Sequence, residues 1–273
     1  MFDLSIITIN YNNASGLKQT VNSVVNQSNK DFEYIIIDGN STDGSKPIID
    51  SLEFENLKWI SEEDSGIYNA MNKGIKMASG RYVLFLNSGD YFINETILNQ
   101  VFYDLKDGVS FAGCNLIIDM NTKKEIHKHP EKISFSYLLR STIYHPSTFI
   151  KKQMFDKYGL YNEENKVVSD WEFFLKTIGL NGESFQKINK ELSVFNTNGI
   201  SSNAMNVELI KRERETVLNR LLKSFNHDLL DTFILNQLIN PSKRIKYLST
   251  IEKSFFLRKI TTFLLSIISR IVL

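Results

Sequence analysis

Short, almost wholly apolar runs alternate with amphipathic stretches through the first third of this chain. Leu4 to Ile9, Phe32 to Ile37, Leu57 to Ile60 and Tyr82 to Leu86 read as strands, most of them too apolar to have a solvent face. Between them, Leu17, Val21, Val24 and Val25 recur at helical spacing. Lys46 to Leu52 gives a short helix with Pro47 in its first turn, and Ile67 to Ala78 gives a longer one broken by Gly80. Strands alternating with helices of this length predict an α/β fold, its central sheet mostly parallel and covered by helices on both faces.

After Asp90 the pattern loosens. Thr96 to Leu105 is expected to be helical, Val109 to Ile118 a long strand, and Asp119 to Lys132 a polar hairpin or excursion. Short helices follow at Phe135 to Leu139 and Gln153 to Tyr158, with a strand at Ser147 to Ile150 between them. Ser169 to Thr177 begins a helix, Phe185 to Ile188 a strand, and a long helical pattern runs from Asn206 to Leu235. The expected division is an α/β domain over residues 1–203 and a helical C-terminal region over 204–273.

A chain of 273 residues, 42% apolar and 23% charged, has enough material for a large core. The net charge of +1 gives no reason to expect a nucleic-acid partner. A single cysteine, Cys114, excludes an intrachain disulfide and a cysteine-built metal site. Met1-Phe2-Asp3 runs straight into a strand, without the flank and apolar run of a secretory signal, so a cytoplasmic location is expected. From Asn240 onward, seven basic residues oppose one glutamate among crowded Phe, Leu and Ile. No apolar run there nears the ~20 residues a spanning helix needs. A basic amphipathic tail resting on the inner face of the cell membrane suits the pattern; a helix docked on the domain is the alternative.

Polar clusters end the strands. Asn10 and Asn12 follow the first, Asp38 and Asp43 the second, Glu62, Glu63 and Asp64 the third, and Asn87-Ser88-Gly89-Asp90 the fourth. Ligands of open parallel sheets bind beyond these carboxyl ends. Asp38 can accept from a nucleobase N–H or a ribose hydroxyl, whereas Asp43 either joins it or caps the next helix. Neither a dinucleotide glycine fingerprint nor a Walker loop is present, which favours a metal bridging the phosphates of any nucleotide. Asp90 leads as ligand for Mn²⁺ or Mg²⁺, with His145 a second ligand, a phosphate contact or a turn histidine. Asp170, in Val168-Ser169-Asp170-Trp171-Glu172, is either a helix cap or a general base, with Trp171 and Glu172 as walls of a sugar pocket. His127 and His129 suit a solvated strand as well as a ligand pair. Asn72 can face substrate or solvent, and Arg81 can approach a diphosphate.

Taken together these residues are recognisable. Leu4-Ser5-Ile6-Ile7-Thr8-Ile9-Asn10-Tyr11-Asn12 with Ile36-Ile37-Asp38-Gly39-Asn40-Ser41-Thr42-Asp43-Gly44 resembles the amino-terminal half of family 2 glycosyltransferases. Asp64-Ser65-Gly66-Ile67-Tyr68-Asn69-Ala70-Met71-Asn72-Lys73-Gly74 resembles the next block of the branch that builds bacterial surface polysaccharide. The resemblance implies a GT-A fold, a nucleotide-diphosphate sugar donor, with a UDP-sugar expected, Mn²⁺ or Mg²⁺, inversion at the anomeric carbon, and a saccharide or lipid-linked acceptor. By position it implies a nucleobase contact from Asp38, with Asp43 and Asp64 lining the nucleotide pocket, to which the strand-end and helix readings add Asn10, Asn12, Asn72 and Arg81. It also implies a metal contact from Asp90, aided by His145, and Asp170 as base. The family's run of several aspartates is reduced here to Asn87-Ser88-Gly89-Asp90. A nucleotidyltransferase and a non-catalytic carbohydrate-binding protein are the competing readings.

Overall fold

A computed structural model describes residues 2–120, 122–197 and 206–222, with isolated positions between 251 and 262. Four strands, β1 (Leu4–Asn10), β2 (Phe32–Asp38), β3 (Leu57–Ser61) and β4 (Tyr82–Phe85), lie parallel in the order β3-β2-β1-β4. Every residue of β1, β2 and β4 is buried, as continuous apolar strands covered on both faces must be. Helix α1 (Ala14–Val25) supplies Leu17, Val21 and Val24 to one face, with α2 (Ser45–Asp50) beside it. Helix α3 (Ile67–Met77) packs on β1 and β2 from the other face. It approaches so closely that a Cβ on Gly74 would sit 2.5 Å from the Ile7 side chain, so glycine is required there.

The rest of the sheet adds antiparallel pairs to this parallel core. It continues from β4 through β8 (Thr148–Lys151), β6 (Phe111–Asp119) and β9 (Phe185–Asn196) to β5 (Tyr91–Phe92), with β7 (Lys124–His127) alongside β6. Only β6–β9 is parallel here; β4–β8, β6–β8, β6–β7 and β5–β9 are antiparallel. The sheet is therefore mixed. The turn between β6 and β7 is too short for the crossover that a parallel pair demands. Strand β9 also runs eight residues beyond the apolar Phe185–Ile188 core that marks it in the sequence. The polar Asn189-Lys190-Glu191 that follows is absorbed as an irregularity opposite Cys114 and Asn115, after which pairing resumes at Leu116↔Ser193.

In the hairpin carrying His127 and His129, Lys124, Glu125 and Ile126 are exposed, but His127 is half-buried and His129 is buried. His129 is 1% exposed against Phe185 and the Gly113 backbone, and burial depresses its pKa to about 4. Helix α4 (Ile97–Asp104) packs on β9 and α6 (Gln153–Tyr158) on β8, whereas α5 (Phe135–Arg140) packs on the helical stretch Leu175–Leu180. Helix α7 (Ser169–Phe174) widens into a π-helical stretch, Leu175–Leu180. The compact unit extends to Leu221, so helix α8 (Val207–Leu221) joins it, beyond the boundary expected near residue 203. A second unit comprises Leu222–Leu273; most of the basic tail and the helical pattern to Leu235 lie outside the described residues. Among the described residues, no helix is long and apolar enough to cross a membrane.

Candidate active site

Register builds the rim. Asn10 stands opposite Asp38, and Asp38 opposite Ser61, so three polar residues end their strands abreast. The Asp38 carboxylate accepts from Asn10 Nδ2 at 2.8 Å, Ser61 Oγ at 2.7 Å and the Ser41 N–H at 2.9 Å. Burial would raise its pKa, but these donors hold it below the ordinary carboxylate value. Asp38 is 0% exposed and underpins the rim, its oxygens engaged by these donors. Asn10 Oδ1 accepts from Ser88 Oγ at 2.8 Å, fastening this rim to the turn after β4.

Asn12, in the left-handed region at φ 47°, donates its N–H to Ser41 Oγ and accepts from the Thr42 N–H. Asp43 accepts from the N–H groups of Ala14 and Ser45 and from Ser45 Oγ, at the starts of α1 and α2. Its role in the structure is thus the capping one. Asp64 pairs with Lys73 at 2.6 Å and lies beside Gly39, where a Cβ would meet both Asp64 Oδ2 and the Tyr11 ring at 3.0 Å. Tyr11 is 70% exposed above this floor. An exposed aromatic face beside a carboxylate offers stacking and hydrogen bonding at one place. Sequence reasoning missed Tyr11, although it stands inside the first motif.

The second half of the site is built around Asp170. One carboxylate oxygen accepts from Tyr68 Oη at 3.0 Å and the other pairs with His145 Nδ1 at 3.2 Å. Burial raises the Asp170 carboxyl, but the His145 and Tyr68 hydrogen bonds outweigh it and the pKa falls below its ordinary value. The other His145 nitrogen meets Asn87 Nδ2 at 3.1 Å. With the ring proton on Nδ1, the imidazole donates to Asp170 and accepts from Asn87. This chain joins Asp170 to the turn that carries Asp90. It also engages both ring nitrogens of His145. Tyr68 was not singled out from the sequence, yet its burial and the Asp170 charge keep it a phenol donor.

Asp90 is 4% exposed, and one of its oxygens accepts from the Asn196 N–H at 3.1 Å. Burial pushes its carboxyl up to about 7, against the opposing pull of His145. In the same turn, Asn87 Oδ1 is buried without a partner. A buried carboxylate short of positive charge, with an orphaned amide oxygen nearby, is a donor set suited to a hard divalent cation. Among the described residues no group of three His, Cys, Asp or Glu side chains could hold a metal ion by itself.

Four expected contacts are not brought to this site. Arg81 precedes β4 and pairs with Asp3 and Asp107 at the opposite edge of the sheet, one strand length from Asp90. Asn72 is 2% exposed and spends its amide on the Tyr161 backbone and Glu163, pinning the segment before α7. Trp171 is buried with its indole N–H donating to the Leu138 carbonyl, so its ring forms no open sugar wall. Glu172 is taken up by Arg220 and Asn165.

Comparison with known proteins agrees with this architecture. The chain is 34% identical over 146 residues to the putative teichuronic acid biosynthesis glycosyltransferase TuaG of Bacillus subtilis, covering 51% of this chain and 58% of that one. It is 32% identical over 181 residues to an uncharacterized glycosyltransferase of Mycobacterium tuberculosis, covering 63% and 68%. Staphylococcus aureus TarS residues 1–349, solved with UDP-GlcNAc, superposes with a TM-score of 0.65 at 18% identity over 87% of this chain and 70% of that one. A mannosyltransferase from Pyrobaculum calidifontis, solved with GDP-Man and Mn²⁺, gives 0.62 at 14% identity, covering 95% and 83%. The architecture is the GT-A fold of these neighbours. Residues 5–163, more than half the chain and including the whole polar rim, match glycosyl transferase family 2, and the chain belongs to that family.

Proposed function

We propose that the chain is an inverting glycosyltransferase that moves a sugar from a nucleotide-diphosphate donor to a saccharide or lipid-linked saccharide in surface-polysaccharide synthesis. The observation that carries the reading is the Asp170 carboxylate, held ionised by Tyr68 and His145 and tied through Asn87 to the Asp90 turn. The carboxylate is ionised and so can take the proton of an attacking hydroxyl; its lowered pKa makes it a weaker base, so the role rests on the direction its two donors give the oxygens. Tyr11, Asn12 and Asp64 offer a stacking face and polar groups for the base and ribose, on the scaffold of Asn10, Asp38 and Asp43. The UDP-GlcNAc bound by TarS supports a UDP-sugar donor, and the name of the Bacillus relative supports a surface-polysaccharide product. Exposed Leu257 and Ile260, flanking Lys259, are consistent with peripheral membrane contact through the tail.

Asp90, with Asn87 Oδ1, would hold Mn²⁺ or Mg²⁺, and the Mn²⁺-bound mannosyltransferase supports that cofactor class. The cation would supply charge against the departing diphosphate. Asp90→Asn tests this by two readouts. A carboxyl raised above its unfolded value loses folding free energy as pH climbs from 3.8 towards 7, so the amide is expected to raise the melting temperature at neutral pH. The same substitution is expected to weaken Mn²⁺-dependent UDP binding by ~10-fold or more. Unchanged metal dependence in a calorimetric titration would remove Asp90 from the role.

A further inference from the structure

Helix α8 belongs to the same compact unit as the site and fastens onto the segment that carries Asp170. Glu213 accepts the backbone N–H groups of Lys166 and Val167 at 2.7 and 3.0 Å, and Arg220 pairs with Glu172 at 2.6 Å. Between them, the Arg214 guanidinium lies 4.7 Å from the centroid of the Trp171 ring, the residue after Asp170. Its Nε is buried and has no hydrogen-bond partner. Burial lowers the pKa of Arg214, and the charge it feels in return is that of Asp170, together with Tyr144.

A guanidinium is a planar fork of five donors, and leaving one of them buried and unanswered is costly. Stacking on an indole holds the plane in place without satisfying its N–H groups. Glu213 and Glu172, the acids next to it, are committed elsewhere. The arrangement is that of a cation held ready for an oxygen anion that the described residues do not supply.

We propose that Arg214 binds an oxyanion of the substrate beside Asp170, a phosphate or carboxylate group. The inference rests on the glycosyltransferase reading and deepens it by naming an anionic group next to the base. The anion has two possible sources, the acceptor or the diphosphate of the donor, and both present the same oxygen geometry to the guanidinium.

Trp171 reports on the site, because the chain has only one other tryptophan, Trp59. In a Trp59→Phe background, Trp171 emission is followed while inorganic phosphate is titrated, both with and without saturating UDP and Mn²⁺; UDP itself is titrated separately. Arg214→Gln is expected to weaken one of these titrations by ~10-fold or more, as loss of a charge-assisted contact does. Arg214→Lys, which keeps the charge and controls for the docking of α8, is expected to retain most of the affinity. Loss in the phosphate arm assigns the anion to the acceptor, and loss in the UDP arm assigns it to the donor. Phosphate and UDP affinities that match the parent in a folded Arg214→Gln protein would overturn the proposal. A parent that binds no nucleotide under any condition would instead count against the glycosyltransferase reading, leaving the phosphate arm to decide Arg214 by itself.

Discussion

Asp170→Asn is expected to abolish nearly all sugar transfer, by a factor of ~10²–10⁴, the usual range for removing a general base. The amide is isosteric, so α7 keeps its place, but it cannot take the proton of an attacking hydroxyl. Tyr68 and His145 both donate to this carboxylate, so one of them faces an N–H in the variant. That mismatch costs about 1–3 kcal/mol locally and can displace the side chain. Nucleotide affinity should remain within about twofold, because Asp170 takes no part in the Asn10–Asp38–Ser61 rim. Steady-state kinetics alongside UDP titration separate the two effects. Wild-type turnover in the variant would withdraw Asp170 as the base.

The largest effect on stability is expected away from the site, at Glu33. This carboxylate is fully buried in β2, where it accepts from Ser5 Oγ, from the Gly80 N–H at 3.0 Å, and from the Ser79 N–H. Its other oxygen pairs with Lys58 on β3 at 2.7 Å. One side chain thus ties β1, β2, β3 and the turn into β4 at the edge opposite the rim. Glu33→Ala leaves the Ser5 hydroxyl and the Gly80 and Ser79 N–H groups without their acceptor, while half-exposed Lys58 is solvated, and is expected to cost ~2–4 kcal/mol, since each buried donor left unanswered costs ~1–3 kcal/mol. Glu33→Gln keeps acceptor capacity on one oxygen and should cost less. Burial raises the Glu33 pKa, yet Lys58 and the other donors bring it below the ordinary 4.5. The wild-type advantage over glutamine is therefore full above pH 4.5 and fades as pH falls through the lower folded value. Urea unfolding at neutral and acid pH measures both; an alanine variant within about 1 kcal/mol of wild type would contradict the account.

The parallel half of the fold was legible in the sequence because its strands are buried on both faces and its helices are long enough to show a period. The antiparallel half was harder. Strand β9 hides behind Asn189-Lys190-Glu191, which reads as a loop until β6 is present to pair across the irregularity. The strand-end acids were visible as residue types at strand ends, but their division of labour was not. Asp38 and Asp43 are consumed by rim hydrogen bonds, a fact set by register and loop geometry that spacing does not encode. Arg81 was misplaced because proximity in sequence to Asp90 hides a full strand between them. Arg214 gave no local signal at all, since its partner Trp171 lies forty-three positions earlier. Tyr68 stood within a quoted motif, but only the folded chain brings it against Asp170, a separation of 102 residues.

If the proposed base carboxylate and cation-binding turn face one sugar donor, the fate of that donor is the decisive readout. The chain is incubated with UDP-sugars and Mn²⁺ in the presence of a saccharide acceptor, the phosphorus products are separated, and the anomeric centre of the glycoside is assigned by NMR. Release of nucleoside diphosphate with inverted configuration is the expected result. Release of pyrophosphate, or a glycoside whose configuration is retained, would contradict it.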